Sequence, residues 1–343
     1  MESPQFSLAL VGASTLKGKE VKTLLQERGF PLGRLLLLDV GEAHGQLTDF
    51  DEEPVIIQPV GKDSFRDISF AVFASSPEFT ATHWHMAEAA GCEIIDLSFA
   101  LDSNPRVRLR APLIASLLHG QGSLDPESRL SVSAHPVSFA LAGILACLSQ
   151  DFKVVRSSAT VLESVSEHGK AGIDELSRQT INLLSFQEIP KDVFCAQVAF
   201  NFLSTSAPER PSTLLESQTR ISRHAKQLLD ARCAPPAVRL LQAPIFYGHG
   251  FSCFIELTEP APPEAVENAL QKQPFRLIRE LDSQPDLVAV AGSNEILLGA
   301  VQPDPSVPSG FWLWSALDNV RLAALNAVQI AEEKVFAVTG RAN

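Results

Sequence analysis

The segment Gly12-Ala13-Ser14-Thr15-Leu16-Lys17-Gly18 follows an apolar run from Phe6 to Gly12 and opens a helical pattern. In that setting backbone N–H groups and the helix dipole can hold a pyrophosphate. Gly12, Ser14, Thr15, Leu16 and Gly18 are therefore the candidate cofactor-binding residues. Thr15 stands at the middle glycine of G-x-x-G-x-x-G, so a side chain sits where phosphate approaches closest. The competing reading is a βα turn that only packs tightly. Asp39 ends a second apolar run, where an acidic residue accepts from the adenosine ribose hydroxyls. It repels a 2′-phosphate, and Glu42 follows it, which favours NAD over NADP; the alternative is a solvated strand end. Cys92, Cys147, Cys195, Cys233 and Cys253 form no C-x-x-C, and no metal site is expected of them. They read as reduced thiols of a cytoplasmic protein, used as small apolar core residues.

These residues need a scaffold, and the hydrophobic pattern supplies one. Apolar runs at Phe6–Gly12, Arg34–Asp39, Ile68–Ala74 and Glu93–Leu97 alternate with helical spacing at Leu16–Arg28 and Thr80–Ala90. Strands alternating with helices predict a doubly wound, Rossmann-like parallel sheet, an α/β fold. Leu130–Gln150 carries no Asp, Glu, Lys or Arg, but its unbroken apolar part covers about half a membrane span, so it reads as a buried strand, turn and helix. Beyond it, strands are expected at Val154–Val161, Val238–Phe246, Phe251–Leu257, Leu287–Ala291 and Glu295–Val301. Thr213–Asp230 reads as an amphipathic helix, and a second helix starts at Pro262-Pro263. Proline-rich loops at Ala207–Pro211, Thr258–Pro263 and Pro303–Pro308 punctuate this half. The second domain is thus an α+β unit with a mixed or antiparallel sheet. A last helix runs from about Asp318 to Phe336. The expected division is 1–131, 132–317 and 318–343, the last segment packing back on the first.

The chain has 343 residues with 28 Lys and Arg against 40 Asp and Glu, a formal charge of −12. An acidic surface without basic runs argues against nucleic acid and anionic membrane as partners. Anionic small substrates are also disfavoured unless a local positive pocket captures them. The apolar run beginning at Phe6 leaves no room for a signal peptide.

Four further segments carry a family resemblance: Gly169-Lys170-Ala171-Gly172-Ile173 with Glu175-Leu176, Ala243-Pro244-Ile245-Phe246-Tyr247-Gly248-His249, Asp318-Asn319-Val320-Arg321, and Ala324-Leu325-Asn326-Ala327-Val328-Gln329-Ile330-Ala331-Glu332. With the Gly12–Gly18 turn, and in this order along almost the whole chain, they resemble aspartate-semialdehyde dehydrogenase. The resemblance implies a nucleotide-binding domain, a central catalytic and dimerisation domain, and a homodimer. It also implies a thiolate that attacks an aldehyde, hydride transfer to NADP, and release of the thioester to phosphate. His249 falls on the family's catalytic base.

Other positions depart from that pattern. The family's N-P-N-C nucleophile segment corresponds to Ser133-Ala134-His135-Pro136-Val137-Ser138-Phe139, which puts either Pro136 or Ser138 at the cysteine. Asp102 stands for the phosphate-binding Arg, Gln242 for the substrate-carboxylate Arg, Leu214 for a Lys, and Glu163 for the polar Gln. A substrate carboxylate about 5 Å from a new carboxylate is repelled by ~3 kcal/mol at an effective dielectric near 20. With a lost Arg bond, binding weakens by roughly three to four orders of magnitude. The pattern is most like the Usg-type paralogues lacking the catalytic cysteine. It implies a family homologue without aspartate-semialdehyde dehydrogenase activity. The alternatives are an oxidoreductase with a different oxo substrate, using His249 and Ser138, and a partner in mixed oligomers with a true dehydrogenase.

Overall fold

Leu8, Ala9, Leu10 and Val11 are four successive residues with no exposed surface, and Phe70–Phe73 are buried in the same way. A strand buried at consecutive positions is covered on both faces, as a parallel sheet between helices must be. The computed structural model describes residues 5–40, 45–51, 53–118, 128–204, 213–279 and 284–340. The chain divides into two units, one of residues 1–116, 120–134 and 323–343, the other of 117–119 and 135–322. The expected Ala207–Pro211 loop and Glu42 lie outside the described residues.

The first unit contains β1 (Phe6–Val11), α1 (Leu16–Glu27), β2 (Leu32–Asp39), β3 (Leu47–Phe50), β4 (Glu53–Ile56) and β5 (Gln58–Pro59). It continues with β6 (Phe70–Phe73), α2 (Pro77–Ala89), β7 (Glu93–Asp96), β8 (Arg108–Arg110) and β9 (Leu130–Ser133). The sheet order is β5-β2-β1-β6-β7-β9-β8. All its pairs are parallel. The chain leaves β1 to one side for β2 and later returns to the other side for β6. That reversal opens the crevice where such sheets bind ligands, at the carboxyl ends of the strands. The Gly12 turn lies there.

In the second unit α3 (Pro136–Asp151) is buried at every residue from Pro136 to Leu148, which accounts for its charge-free sequence. It is followed by β10 (Val154–Glu163), α4 (Gly169–Leu184), α5 (Thr213–Leu229), β11 (Ala237–Gln242), β12 (His249–Leu257) and α6 (Pro263–Leu270). Then come β13 (Phe275–Ile278), β14 (Ile296–Gly299), β15 (Gln302–Pro303), β16 (Gly310–Leu317) and α7 (Asn319–Thr339), whose residues from Ala323 belong to the first unit. The strand order is β11-β10-β12-β16-β14-β13. The β10–β11 and β13–β14 pairs are parallel and the others antiparallel, so the sheet is mixed.

One expected strand is corrected. Leu287–Ala291 is a turn, not a strand. The Asp286 carboxylate accepts from the Val288 and Ala289 amides at 2.8 and 2.7 Å, and this local bond displaces sheet pairing. Among the elements that the sequence left unassigned are α4 and the central strand β16. Helix α4 anchors the loop after it. Glu175 accepts from the Val193 and Phe194 amides, and Gln179 from the Val198 and Ala199 amides.

Among the described residues of the first unit Gly18 shows the tightest backbone constraint, since a Cβ there would lie 2.0 Å from the Gly12 carbonyl oxygen. Gly18→Ala is expected to cost about 2–3 kcal/mol in denaturant unfolding, whereas Gly61→Ala, where a Cβ would meet only the Ser64 hydroxyl at 3.8 Å, stays within about 0.5 kcal/mol. Glu175→Ala strands two loop amides and is expected to cost about 2–4 kcal/mol by the same measurement.

Candidate active site

In the first unit, Thr15 caps α1: its hydroxyl accepts from the Gly18 amide at 2.9 Å and lies 2.8 Å from the Gly12 carbonyl. Thr15 is therefore the helix N-cap as well as the residue at the middle-glycine position. Gly12 has φ +87°, and a Cβ there would come within 2.6 Å of the Ser75 nitrogen, so only glycine fits. Asp39 is 4% exposed. Its carboxylate accepts from the Ser14 amide at 2.7 Å and the Val40 amide at 2.8 Å. It thus knits the turn to the end of β2. Leu16 and Lys17 occupy the first helical turn, where amides have no acceptor within the helix. Those amides and the dipole of a 12-residue helix fit a phosphate group. Asp102 also lies in the first unit, in the turns after Phe99.

The residues expected to be catalytic, Glu163 and His249, belong to the second unit, where strand register aligns them with Gln242. Glu163 on β10 pairs with Gln242 on β11, and β12 begins at His249. Gly248, with φ +79°, allows the turn that delivers His249 to β12. Ser164 follows β10 directly. Its amide donates to His249 Nδ1 at 3.1 Å, and its hydroxyl lies 2.8 Å from that of Ser166. Asn319 ties these pieces together: Oδ1 accepts from the Ser166 hydroxyl at 3.1 Å and the Gly248 amide at 3.0 Å, while Nδ2 faces Glu167 at 3.3 Å.

His249 is 1% exposed, and its Nε2 makes no hydrogen bond. The Glu167 carboxylate lies 3.6 Å away, beyond hydrogen-bond length. A buried donor without an acceptor costs about 1–3 kcal/mol. The His135 ring lies parallel to the His249 ring, with centroids 5.9 Å apart and 5° between planes. His135 is the N-cap of α3: its Nδ1 accepts from the Val137 amide at 3.2 Å, and its own amide donates to His224 Nδ1 at 3.1 Å.

Pro136 is the first residue of α3 and Ser138 the third; Ser138 is fully buried and its hydroxyl has no hydrogen-bond partner. Gln242 is 3% exposed and donates to the Glu163 carbonyl at 2.9 Å. The Glu163 carboxylate lies 3.8 Å from His168 Nε2. Leu214 is buried on α5. Burial pushes the Cys147 thiol up to about 11 and that of Cys253 up to about 12. The sequence reading assigned no role to His135, Glu167, Ser164, Ser166 or Asn319. His135 and Asn319 lay inside segments it singled out, but only the fold brings them to His249.

Comparison with known proteins follows the same division. A family profile described as the semialdehyde dehydrogenase NAD binding domain matches residues 7–121, and one described as the semialdehyde dehydrogenase dimerisation domain matches 145–322. The chain is similar to a USG-1 protein homolog of Pseudomonas aeruginosa, 32% identical over 96% of this chain and 98% of that one. It is also similar to aspartate-semialdehyde dehydrogenase 2 of Vibrio cholerae, 30% identical over 96% and 98%. Among solved structures, a probable aspartate-semialdehyde dehydrogenase from Pseudomonas aeruginosa superposes with TM-score 0.85 at 31% identity, covering 96% and 98% of the two chains. The Vibrio cholerae aspartate semialdehyde dehydrogenase II complexed with ASA also gives 0.85, at 27% identity, covering 98% and 99%. With both domains matched and the fold shared along the whole chain, this protein belongs to the semialdehyde dehydrogenase family.

Proposed function

We propose that this family member has lost thiol-dependent oxidation of aspartate semialdehyde and persists as a cytoplasmic, nucleotide-binding, homodimerising protein. The observation that carries the reading is the setting of His249. Its Nδ1 accepts a backbone amide, so the neutral ring bears its proton on Nε2. A general base needs a lone pair on the nitrogen that meets the reactant. The position that holds cysteine in the family is Pro136 or Ser138 here, and neither brings a sulfur. Burial pushes the Cys147 and Cys253 thiols well above neutral pH, which disfavours the thiolate that would attack a carbonyl.

For the cofactor, the Leu16 and Lys17 amides would hold the pyrophosphate, and the group would supply hydride acceptance. Asp39 favours NAD, since its charge at the end of β2 opposes a 2′-phosphate. A homodimer fits the matched dimerisation domain. It also fits β10, where Ser157, Ala159 and Val161 are buried while Val155, Ser158 and Thr160 on the same strand are exposed. Mixed oligomers with a cysteine-bearing relative would use that same surface.

Three outcomes are expected. Assays with aspartate semialdehyde, phosphate and NAD or NADP give no turnover above buffer; robust activity would refute the reading. Calorimetric titration yields tighter binding of NAD than of NADP, and Asp39→Ala narrows the difference; equal affinities in the unaltered chain remove the proposed preference. Iodoacetamide labels Cys147 and Cys253 of the folded protein slowly below pH 9, with rates climbing about tenfold per pH unit toward the raised values. Fast labelling at pH 7 would reveal a thiolate and contradict the proposal.

A further inference from the structure

One ring nitrogen each of His135 and His249 and a Glu167 carboxylate oxygen lie within 4.8 Å of one another. Two imidazoles and a carboxylate are a familiar donor set for a divalent transition metal. The hydrogen bonds around them point elsewhere. A metal-bound imidazole carries its proton on the other nitrogen and donates it outward. Here Nδ1 of His135 accepts from the Val137 amide and Nδ1 of His249 from the Ser164 amide. Each amide can only donate, so in the neutral rings both protons sit on Nε2. A metal at Nε2 would have to strip those protons and leave two imidazolates.

We propose instead that His135 and His249 form a two-donor site for a single carbonyl oxygen of a small uncharged ligand, an aldehyde, ketone or amide. With Nδ1 engaged, Nε2 is the nitrogen of each ring left to donate, and for His249 it is the nitrogen that faces Glu167. Two donors 4.8 Å apart or less can share one oxygen, since each N–H···O contact spans about 3 Å. His249 Nε2 is buried without a hydrogen-bond acceptor, so a ligand oxygen there satisfies a donor that the fold leaves open. The two rings are nearly parallel, 5° between planes with centroids 5.9 Å apart. The Glu167 carboxylate, 3.6 Å from His249 Nε2, sets the charge requirement: a ligand carboxylate would meet it at close range, and a neutral carbonyl would not. The site lies wholly in the second unit.

The test is histidine side-chain ¹⁵N–¹H spectroscopy on the full-length protein, with signals assigned by His135→Gln and His249→Gln. If a substitution unfolds the chain, contacts from the Val137 and Ser164 amides assign the same signals in the unaltered protein. Both rings are expected as Nε2–H tautomers. Butanone should shift both signals saturably, with a dissociation constant of about 1 mM, a reasonable range for so small a probe. Acetate at matched ionic strength should leave them unmoved, and one equivalent of zinc should not bind. Protonated Nδ1 on either ring, or stoichiometric zinc binding, would replace the proposal with a metal site. No response to butanone, or an equal response to acetate, would overturn the ligand class. Turnover of the semialdehyde would sink the reading of lost activity while leaving these tautomers untouched, so the two failures are distinguishable.

Discussion

Two backbone amides decide what the histidines of this protein can do. Val137 and Ser164 each direct an N–H at an imidazole Nδ1, and that orientation follows from chain geometry rather than from titration. The first amide belongs to the opening turn of α3, where orphan donors need a cap and His135 supplies it. The second belongs to the residue after β10, held by the serine and asparagine network around Asn319. Neither imidazole can turn over without stranding a buried amide. His249 therefore stands as a fixed proton donor in its neutral form, although the family resemblance casts it as a base.

The same economy marks the nucleotide turn. Thr15 serves as N-cap and Asp39 as an acceptor for Ser14, so two side chains with ligand-binding potential are also structural partners. The turn keeps its glycines because neighbouring backbone comes within van der Waals contact of them, at Gly12 and Gly18. Glycines of a nucleotide fingerprint are thus retained here for packing reasons that operate with or without a bound nucleotide.

Much of the α/β layout was legible in the residues, because strands buried on both faces leave uninterrupted apolar runs such as Phe70–Phe73. The charge-free stretch from Leu130 to Gln150 likewise announced a buried strand and helix. Leu287–Ala291 misled because an apolar run says nothing of the aspartate before it, whose carboxylate captures two amides and closes a turn. Strand β16 escaped because the proline-rich segment before it reads as a loop. At the site, His249 was found through its segment alone. Its neighbours were not, since His135, Glu167 and Asn319 are separated by 32 to 184 residues along the chain and no local spacing links them. Helical capping and strand register bring them together, and both are properties of the folded chain.

The central claim is that no nucleophile meets the aldehyde. Intact-mass analysis after incubation with aspartate semialdehyde and oxidised nicotinamide, without phosphate and quenched in acid, tests it directly. The account predicts the unmodified mass of the 343-residue chain. An acyl adduct mapped to a cysteine or to Ser138 would contradict it.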